Sequence, residues 1–368
     1  MRGMSLLGAE CSPLVAPRAN GSFCSPSTGH LLPSLILIGS LKTGSSSLWA
    51  KLVDNSHDWI TPGALTHKGD ISRKEKDFFG DPSQWRLGRR WYEKIWPQCP
   101  HGTVVAVDFT PAYHVWYDAP QNMATFFGPQ LEELRLVWMV REPVAKFWSY
   151  YWELKSYRGS WDSVSFDSFV APKLERTRAC LEQDPSSPLW PPSLPPPYSN
   201  CAPHLDHGLY APQLQRWLRF FKPSQLLLVS FLGYKSEPAR VIRDVMVHSG
   251  LPPHVARKVS IEAAEEPIKS NMLNSRSRGH GRMPARWRCE LRNFYRPFVE
   301  RFYSLVRTHS IPVSPCEAQN TRFLDPPNGT DNYHPSVICS TLATSTPLVD
   351  GAPSRLARLR TRRRTYHG

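Results

Sequence analysis

The stretch LILIGSLKTGSSSLW, residues 35–49, places one lysine among glycines and hydroxyls directly behind an apolar run. Gly39 allows the backbone to turn tightly. Thr43, Gly44, Ser45, Ser46 and Ser47 then bring N–H groups and hydroxyls to the start of a helix. Such a start attracts anions, because its first N–H groups have no intrahelical partner and the helix dipole is positive there. Lys42 adds a full positive charge. The chemistry implied is capture of a phosphate-like group, but not in the manner of a nucleotide triphosphatase. In the G-x-x-x-x-G-K-[ST] loop the lysine follows the second glycine. Here Gly39 to Gly44 has the right span, and Lys42 precedes Gly44.

A second set of candidates lies in LRLVWMVREPVAKFWSYYWELK. Arg141 ends an apolar run, and Ser149 follows eight residues on, two turns into the next helix. An arginine fork and a hydroxyl so placed can grip a phosphate from two directions. Glu75 stands between Lys74 and Lys76 in RKEKDFFGD; from the run alone it reads as a solvated glutamate before it reads as a base. His204 and His207 flank Asp206 without a third ligand at metal spacing, so they read as loop histidines and no metal is expected. Trp148, Tyr150, Tyr151, Trp152 and Trp161 could stack on sugar rings, although packing groups are the default reading.

These residues need a scaffold. Continuous apolar runs at Leu35–Ile38, TVVAVDF (103–109), LRLVWMV (134–140) and QLLLVSF (225–231) have the character of parallel strands buried on both faces. Helical periodicity separates them, at Ser45–Val53, Val144–Lys155, 211–221 and 237–250, and a late amphipathic helix spans Pro284–Thr308. Alternating strands and helices predict one α/β domain, a P-loop-like central parallel sheet with helices on both faces. Ligands in such folds bind at the carboxyl ends of the strands, which places the functional residues near 40, 110 and 141. The domain is expected over 34–312. A flexible leader would occupy 1–33, a Pro-rich insertion 184–203, and a disordered basic tail 313–368.

Composition agrees with a real core: 368 residues, 40% hydrophobic, 13 Trp and 16 Phe. The net charge is +14, and six arginines without an acid fall in the last fifteen residues, SRLARLRTRRRTYHG. The other eight net charges belong to the body and fit an anionic cofactor, substrate or both. Eight cysteines, none in C-x-x-C spacing, and sequons at Asn20 and Asn328 are compatible with a secretory lumen. No run of 18 apolar residues and no clear signal-peptide core is present, so no membrane anchor is expected within this sequence.

Taken together, the motifs resemble the sulfotransferases. LKTGSSSLW is similar to their 5′-phosphosulfate loop, K-[TG]-G-[ST]-[ST], and REPVAKFWSYY to their 3′-phosphate motif, R-x-P-x-x-[RK]-x-x-S-x-Y. The likeness is greatest to the heparan sulfate N-sulfating and 3-O-sulfating groups. RKEKDFFGD resembles their K-E-x-x-F-F segment, HGLYAPQLQRWLRFFKPSQLLLVSF their G-x-Y segment, and SRSRGHGRMP their late K-G-R-x-x-P loop. Order and spacing match from about 34 to 308. The resemblance implies 3′-phosphoadenosine 5′-phosphosulfate as donor, with no metal, and a carbohydrate acceptor, an anionic polysaccharide rather than nucleic acid. It implies Lys42 as the catalytic lysine, Glu75 as the base, and Arg141 and Ser149 on the 3′-phosphate. Arg278, Gly279, His280, Gly281 and Arg282 would close over the nucleotide, and the family's usual location implies the Golgi lumen. Ser46 stands where the 3-O-sulfating group has an arginine. VDFTPAYH replaces the usual E-K-[ST]-P and so lacks a lysine for which Lys68, Lys76 or His114 would stand in; Lys74, Lys76, Asp108 and His114 are the candidates on the acceptor side.

Two other readings stay open on the residues. A P-loop kinase would use Asp108 on Mg²⁺, although Lys42 is misplaced for one. A catalytically inactive polyanion- or glycan-binding protein would rely on the basic tail.

Overall fold

The computed structural model describes residues 23–54, 58–63, 74–156, 163–183, 204–265, 281–315 and 323–324. Six parallel strands run β1 Pro33–Gly39, β2 Ile60–Thr61, β3 Val105–Phe109, β4 Arg135–Val140, β5 Leu226–Ser230 and β6 Val313–Ser314. Their order across the sheet is β2-β3-β1-β4-β5-β6. The helices are α1 Ser45–Asp54, α2 Pro82–Trp85, α3 Arg89–Lys94, α4 Ala119–Phe127, α5 Pro143–Ser156 and α6 Phe166–Gln183. They continue as α7 Tyr210–Trp217, α8 Phe231–Ser236, α9 Pro238–His248, α10 Pro253–Glu265 and α11 Ala285–Thr308.

Why the strands read as unbroken apolar runs is plain from their two faces. Ile36 and Ile38 of β1, Leu136, Trp138 and Val140 of β4, and Leu226 and Leu228 of β5 enter one core. That core is covered by α4, α7 and the second half of α11. Leu35 and Leu37, Val137 and Met139, and Leu227 and Val229 enter the other, under α1, α9 and α10. With both faces buried, alternation has no polar side to show. This is the three-layer arrangement expected, with the sheet flanked by helices.

A third cluster joins α5, α6 and the first half of α11 through Phe147, Tyr151, Phe169, Trp287 and Leu291. The sequence pattern did not announce α6, which carries Pro172 in its interior and no strong apolar stripe.

The margins of the domain differ from expectation. The leader predicted over 1–33 is packed from Phe23 onward: Phe23, Leu31 and Leu32 are buried in the first core. Cys24 is disulfide-bonded to Cys99 across 75 residues, and Leu31 N–H donates to the Pro97 carbonyl at 2.9 Å. The polar run between Phe23 and Leu31 disguised this hairpin-like segment. At the other end, β6 pairs with β5 and Phe323 and Leu324 are buried, so packed structure continues past 312. The Pro-rich insertion and most of the basic tail lie outside the described residues. Among the described residues, no helix is long and apolar enough to cross a membrane.

Candidate active site

Four candidate segments converge at the carboxyl ends of β1, β3 and β4, the three central strands. The loop after β1 is fixed by its neighbours. Ser40 N–H donates to the Met139 carbonyl at 2.9 Å, Trp138 Nε1 donates to Ser40 Oγ at 3.0 Å, and Thr43 Oγ1 donates to the Ser40 carbonyl at 2.6 Å. Gly39 admits no side chain, since a Cβ there would meet the His114 ring at 2.7 Å and Trp138 Nε1 at 2.8 Å. Lys42 and Gly44 both take positive φ, 62° and 85°. Glycine adopts that region without penalty, whereas the lysine is held there by its surroundings. Ser45, Ser46 and Ser47 open α1. Ser47 Oγ shares a 2.9 Å hydrogen bond with the Tyr234 hydroxyl.

Arg141 ties β4 to this loop. Its Nη1 donates to the Lys42 carbonyl at 3.0 Å, and its guanidinium lies 4.5 Å from the Phe231 ring centroid. The Tyr210 hydroxyl donates to the Arg141 carbonyl at 2.9 Å. Burial lowers the proton affinity of this guanidinium, while the neighbouring Glu142 raises it; a guanidinium stays charged under both. Ser149 and Glu153 follow on α5, one turn apart, and Glu153 Oε1 lies 3.2 Å from Lys42 Nζ. The two anion clamps read from the sequence thus share one hydrogen-bonded junction.

Glu75 is presented by a platform rooted in the core. Phe78 and Phe79 are fully buried, and Phe78 stacks on Tyr92 with centroids 4.3 Å apart. Thr110 Oγ1 accepts from Lys76 N–H at 3.0 Å and donates to Asp108 Oδ1 at 2.7 Å. The other Asp108 oxygen accepts from the Tyr92 hydroxyl at 2.7 Å and the Tyr113 hydroxyl at 3.0 Å. Burial raises the Asp108 carboxyl above its ordinary range, and the three hydroxyls and the Lys76 charge offset part of that. Asp108 is fully buried and engaged inside the protein, so it braces the 75–79 segment in this structure. Lys76 is also buried, with its ammonium 5.8 Å from the Trp96 ring centroid. Glu75 itself is the accessible member, paired at 2.6 Å with Lys74.

His114 is buried behind the loop. Its Nδ1 lies 2.9 Å from the Pro111 carbonyl, and its Nε2 is 3.4 Å from the His207 carbonyl. Burial first, then the nearby Lys146 charge, holds the ring well below the ordinary histidine range, so it is neutral. Lys146, on α5, donates to the His207 carbonyl. Burial drives its amine down to about 7 and the Asp206 carboxyl up to about 7, with their mutual attraction opposing both shifts. Lys42, Lys146, Tyr150, His204 and His207 line a small cavity beneath the loop. Tyr150 packs on His204 at 4.8 Å between centroids, and Trp148, Tyr151 and Trp152 pack on one another around Phe166.

Gly281 and Arg282 are exposed ahead of α11, while Arg278, Gly279, His280 and Trp161 lie outside the described residues. Four contributors escaped the sequence reading: Glu153, Lys146, Tyr210 and Phe231. Lys146 and Tyr210 occupy motif positions, the [RK] of REPVAK and the Tyr of HGLY. Only the four-residue offset from Ser149 could have drawn attention to Glu153.

Residues 127–296, which include Arg141, Ser149 and the 204–217 segment, match the family described as sulfotransferase domain. The chain carries a sulfotransferase domain. With the domain goes the enzyme class, sulfotransferase. The chain is 28% identical over 302 residues to mouse (Mus musculus) heparan sulfate glucosamine 3-O-sulfotransferase 3B1, covering 79% of this chain and 67% of that protein. It is 28% identical over 286 residues to the mouse 3-O-sulfotransferase 3A1, of which it spans 63%. Human (Homo sapiens) bifunctional heparan sulfate N-deacetylase/N-sulfotransferase 3 is 23% identical over 225 residues, with 61% of this chain and 23% of that one covered. In fold it is like the solved sulfotransferase from Alicyclobacillus acidocaldarius, with a TM-score of 0.50 at 20% identity. That match covers 75% of this chain and 96% of the other.

Proposed function

We propose that this sulfotransferase moves a sulfuryl group from 3′-phosphoadenosine 5′-phosphosulfate to a hydroxyl or amine of an anionic, heparan-type polysaccharide. The observation that carries the reading is the 3.0 Å bond from Arg141 Nη1 to the Lys42 carbonyl. It supports the reading by tying Arg141 to the loop of Lys42, the neighbourhood that a donor with a phosphosulfate at one end and a 3′-phosphate at the other requires. Arg141 and Ser149 hold the 3′-phosphate. The N–H groups and hydroxyls of Thr43 to Ser47 hold the 5′-phosphosulfate, and Arg282 closes from the side of the late loop together with Arg278, Gly279, His280 and Gly281.

In the reaction, the acceptor oxygen or nitrogen forms a bond to sulfur as the bond from sulfur to the bridging oxygen breaks. The electron pair leaves with that oxygen on the 5′-phosphate of 3′-phosphoadenosine 5′-phosphate. Lys42 neutralises the charge that grows there, an electrostatic contribution that such preorganised donors make worth about 10²–10³ in rate. Glu75 takes the acceptor proton. Partly exposed beside Lys74, it is open to solvent and substrate, in contrast to the buried Asp108. The net positive body suits a polyanionic acceptor, and the Golgi lumen is the compartment that fits such an acceptor and the Cys24–Cys99 disulfide.

The test is transfer of labelled sulfate from the donor to a panel of glycans, with Glu75→Gln and Lys42→Ala alongside. Transfer by the wild type that disappears in both variants is expected. Full transfer by Lys42→Ala would overturn the assignment of the site.

A further inference from the structure

We infer that Glu153 is a positioning residue that occupies the Lys42 ammonium in the donor-free protein and must release it when the donor binds. The inference rests on the proposed donor, because the competitor for Lys42 is the 5′-phosphosulfate. Three observations lead to it.

Glu153 Oε1 lies 3.2 Å from Lys42 Nζ, with the two side chains only 22% and 14% exposed. Among the described residues, Glu153 is the acid within ion-pairing distance of Lys42. An ion pair this sheltered is screened less by salt than one on the open surface.

The backbone beneath Lys42 cannot follow the side chain. Its carbonyl is held by Arg141 at 3.0 Å, its φ is 62°, and the loop on either side is pinned through Ser40 and Thr43. Release from Glu153 is therefore a rotation of the lysine side chain alone, between α5 and the space over the Thr43–Ser47 N–H groups.

Glu153 also shares a helix with Ser149, one turn away. A donor gripped by Ser149 and Arg141 brings its phosphosulfate to the end of the cleft where the Glu153 carboxylate already sits. Two anions then face one ammonium. The donor wins by virtue of its additional partners, and the cost of displacing Glu153 is subtracted from its affinity. Removing only the negative charge at 153 should strengthen binding of ligands that carry a 5′-phosphate and leave ligands without one unaffected.

Titration calorimetry on the full chain tests this with two probes, adenosine 3′,5′-bisphosphate and adenosine 3′-monophosphate. In Glu153→Gln the bisphosphate should bind about five- to ten-fold more tightly at low salt, a gain of about 1 kcal/mol by the usual conversion, and the gain should shrink as salt is raised. The monophosphate should bind the variant and the wild type alike. Glu153→Ala should repeat the pattern, and a single cooperative thermal transition in each would show that both variants are folded. Equal bisphosphate affinity in wild type and variants, or an equal gain for both nucleotides, would overturn the role of Glu153 and leave the donor assignment standing. Failure of the wild type to bind either nucleotide would overturn the donor assignment and this inference together.

Discussion

Thr110→Val probes how the core holds the proposed base in place. The exchange keeps shape and volume and removes one oxygen. That oxygen accepts from Lys76 N–H at 3.0 Å and donates to Asp108 Oδ1 at 2.7 Å, and all three residues are buried. A buried N–H left without an acceptor costs about 1–3 kcal/mol, and loss of a hydrogen bond to a charged group costs a similar amount. Asp108 keeps its two tyrosine donors, and the new methyl group recovers roughly 0.8 kcal/mol of burial. The net expectation is a loss of about 3 kcal/mol in stability, read from urea unfolding at neutral pH. Glu75 immediately precedes Lys76, so freeing that N–H moves the proposed base, and a displacement near 1 Å costs about 10²-fold in rate. The bisphosphate nucleotide should bind as before, because the clamps proposed for it hang on β1, β4 and α5. Thr110→Ser keeps the oxygen and should restore most of both quantities. A Thr110→Val protein within about 0.5 kcal/mol of wild type and with unchanged turnover would refute the chain of support from Asp108 through Thr110 to Glu75.

Ser149→Ala should weaken binding of adenosine 3′,5′-bisphosphate about ten-fold, the value of one hydrogen bond to a charged group, while a saturating donor restores most of the turnover. Acid should destabilise the protein through His248, whose ring is buried with Nε2 3.1 Å from the Gln225 carbonyl. Burial first, then the Arg135 charge, holds it down to about 4. Since the unfolded chain takes up that proton near pH 6.5, the stability is complete above 6.5, falls as pH drops toward 4, and levels off below. The loss is about 3 kcal/mol. Urea midpoints at pH 7, 5.5 and 4.5 should show it, and His248→Gln, whose amide can still donate to Gln225, should flatten that part of the profile.

What the sequence disclosed and what it withheld follow one physical line. Four strands were legible because burial on both faces leaves an apolar run that nothing else in the chain imitates. β2 and β6, two residues each, carry no period to detect, and Phe23 to Leu32 hid behind a polar turn that only Cys99 explains. Lys42, Arg141 and Ser149 could be singled out because the anion clamp proposed for them needs particular groups at fixed places after a strand. Glu75 could not be separated from an ordinary KEK run without the family resemblance. The structure shows how that segment is held: Phe78 and Phe79 anchor in the first core, and Thr110 secures the intervening backbone. Asp108 and His114 look available in VDFTPAYH, yet both point inward, one toward three hydroxyls and the other toward two carbonyls.

Glu153 marks the limit of reading by motif. On a helix rich in Trp and Tyr, a glutamate four residues past Ser149 has every attribute of a solvent-facing residue. Its consequence depends on a contact with a lysine 111 residues earlier, which α5 creates by bringing Glu153 to the loop after β1. A site that binds anions through a crowded set of cations gains by holding one of them against an internal acid, because unopposed positive charges brought together repel one another before the ligand arrives. The same acid then lowers affinity for the ligand once it comes. In the role inferred for it, Glu153 links two properties that a motif treats as separate, the stability of the empty loop and the strength with which it grips the proposed donor. Substitutions there should move them in opposite directions.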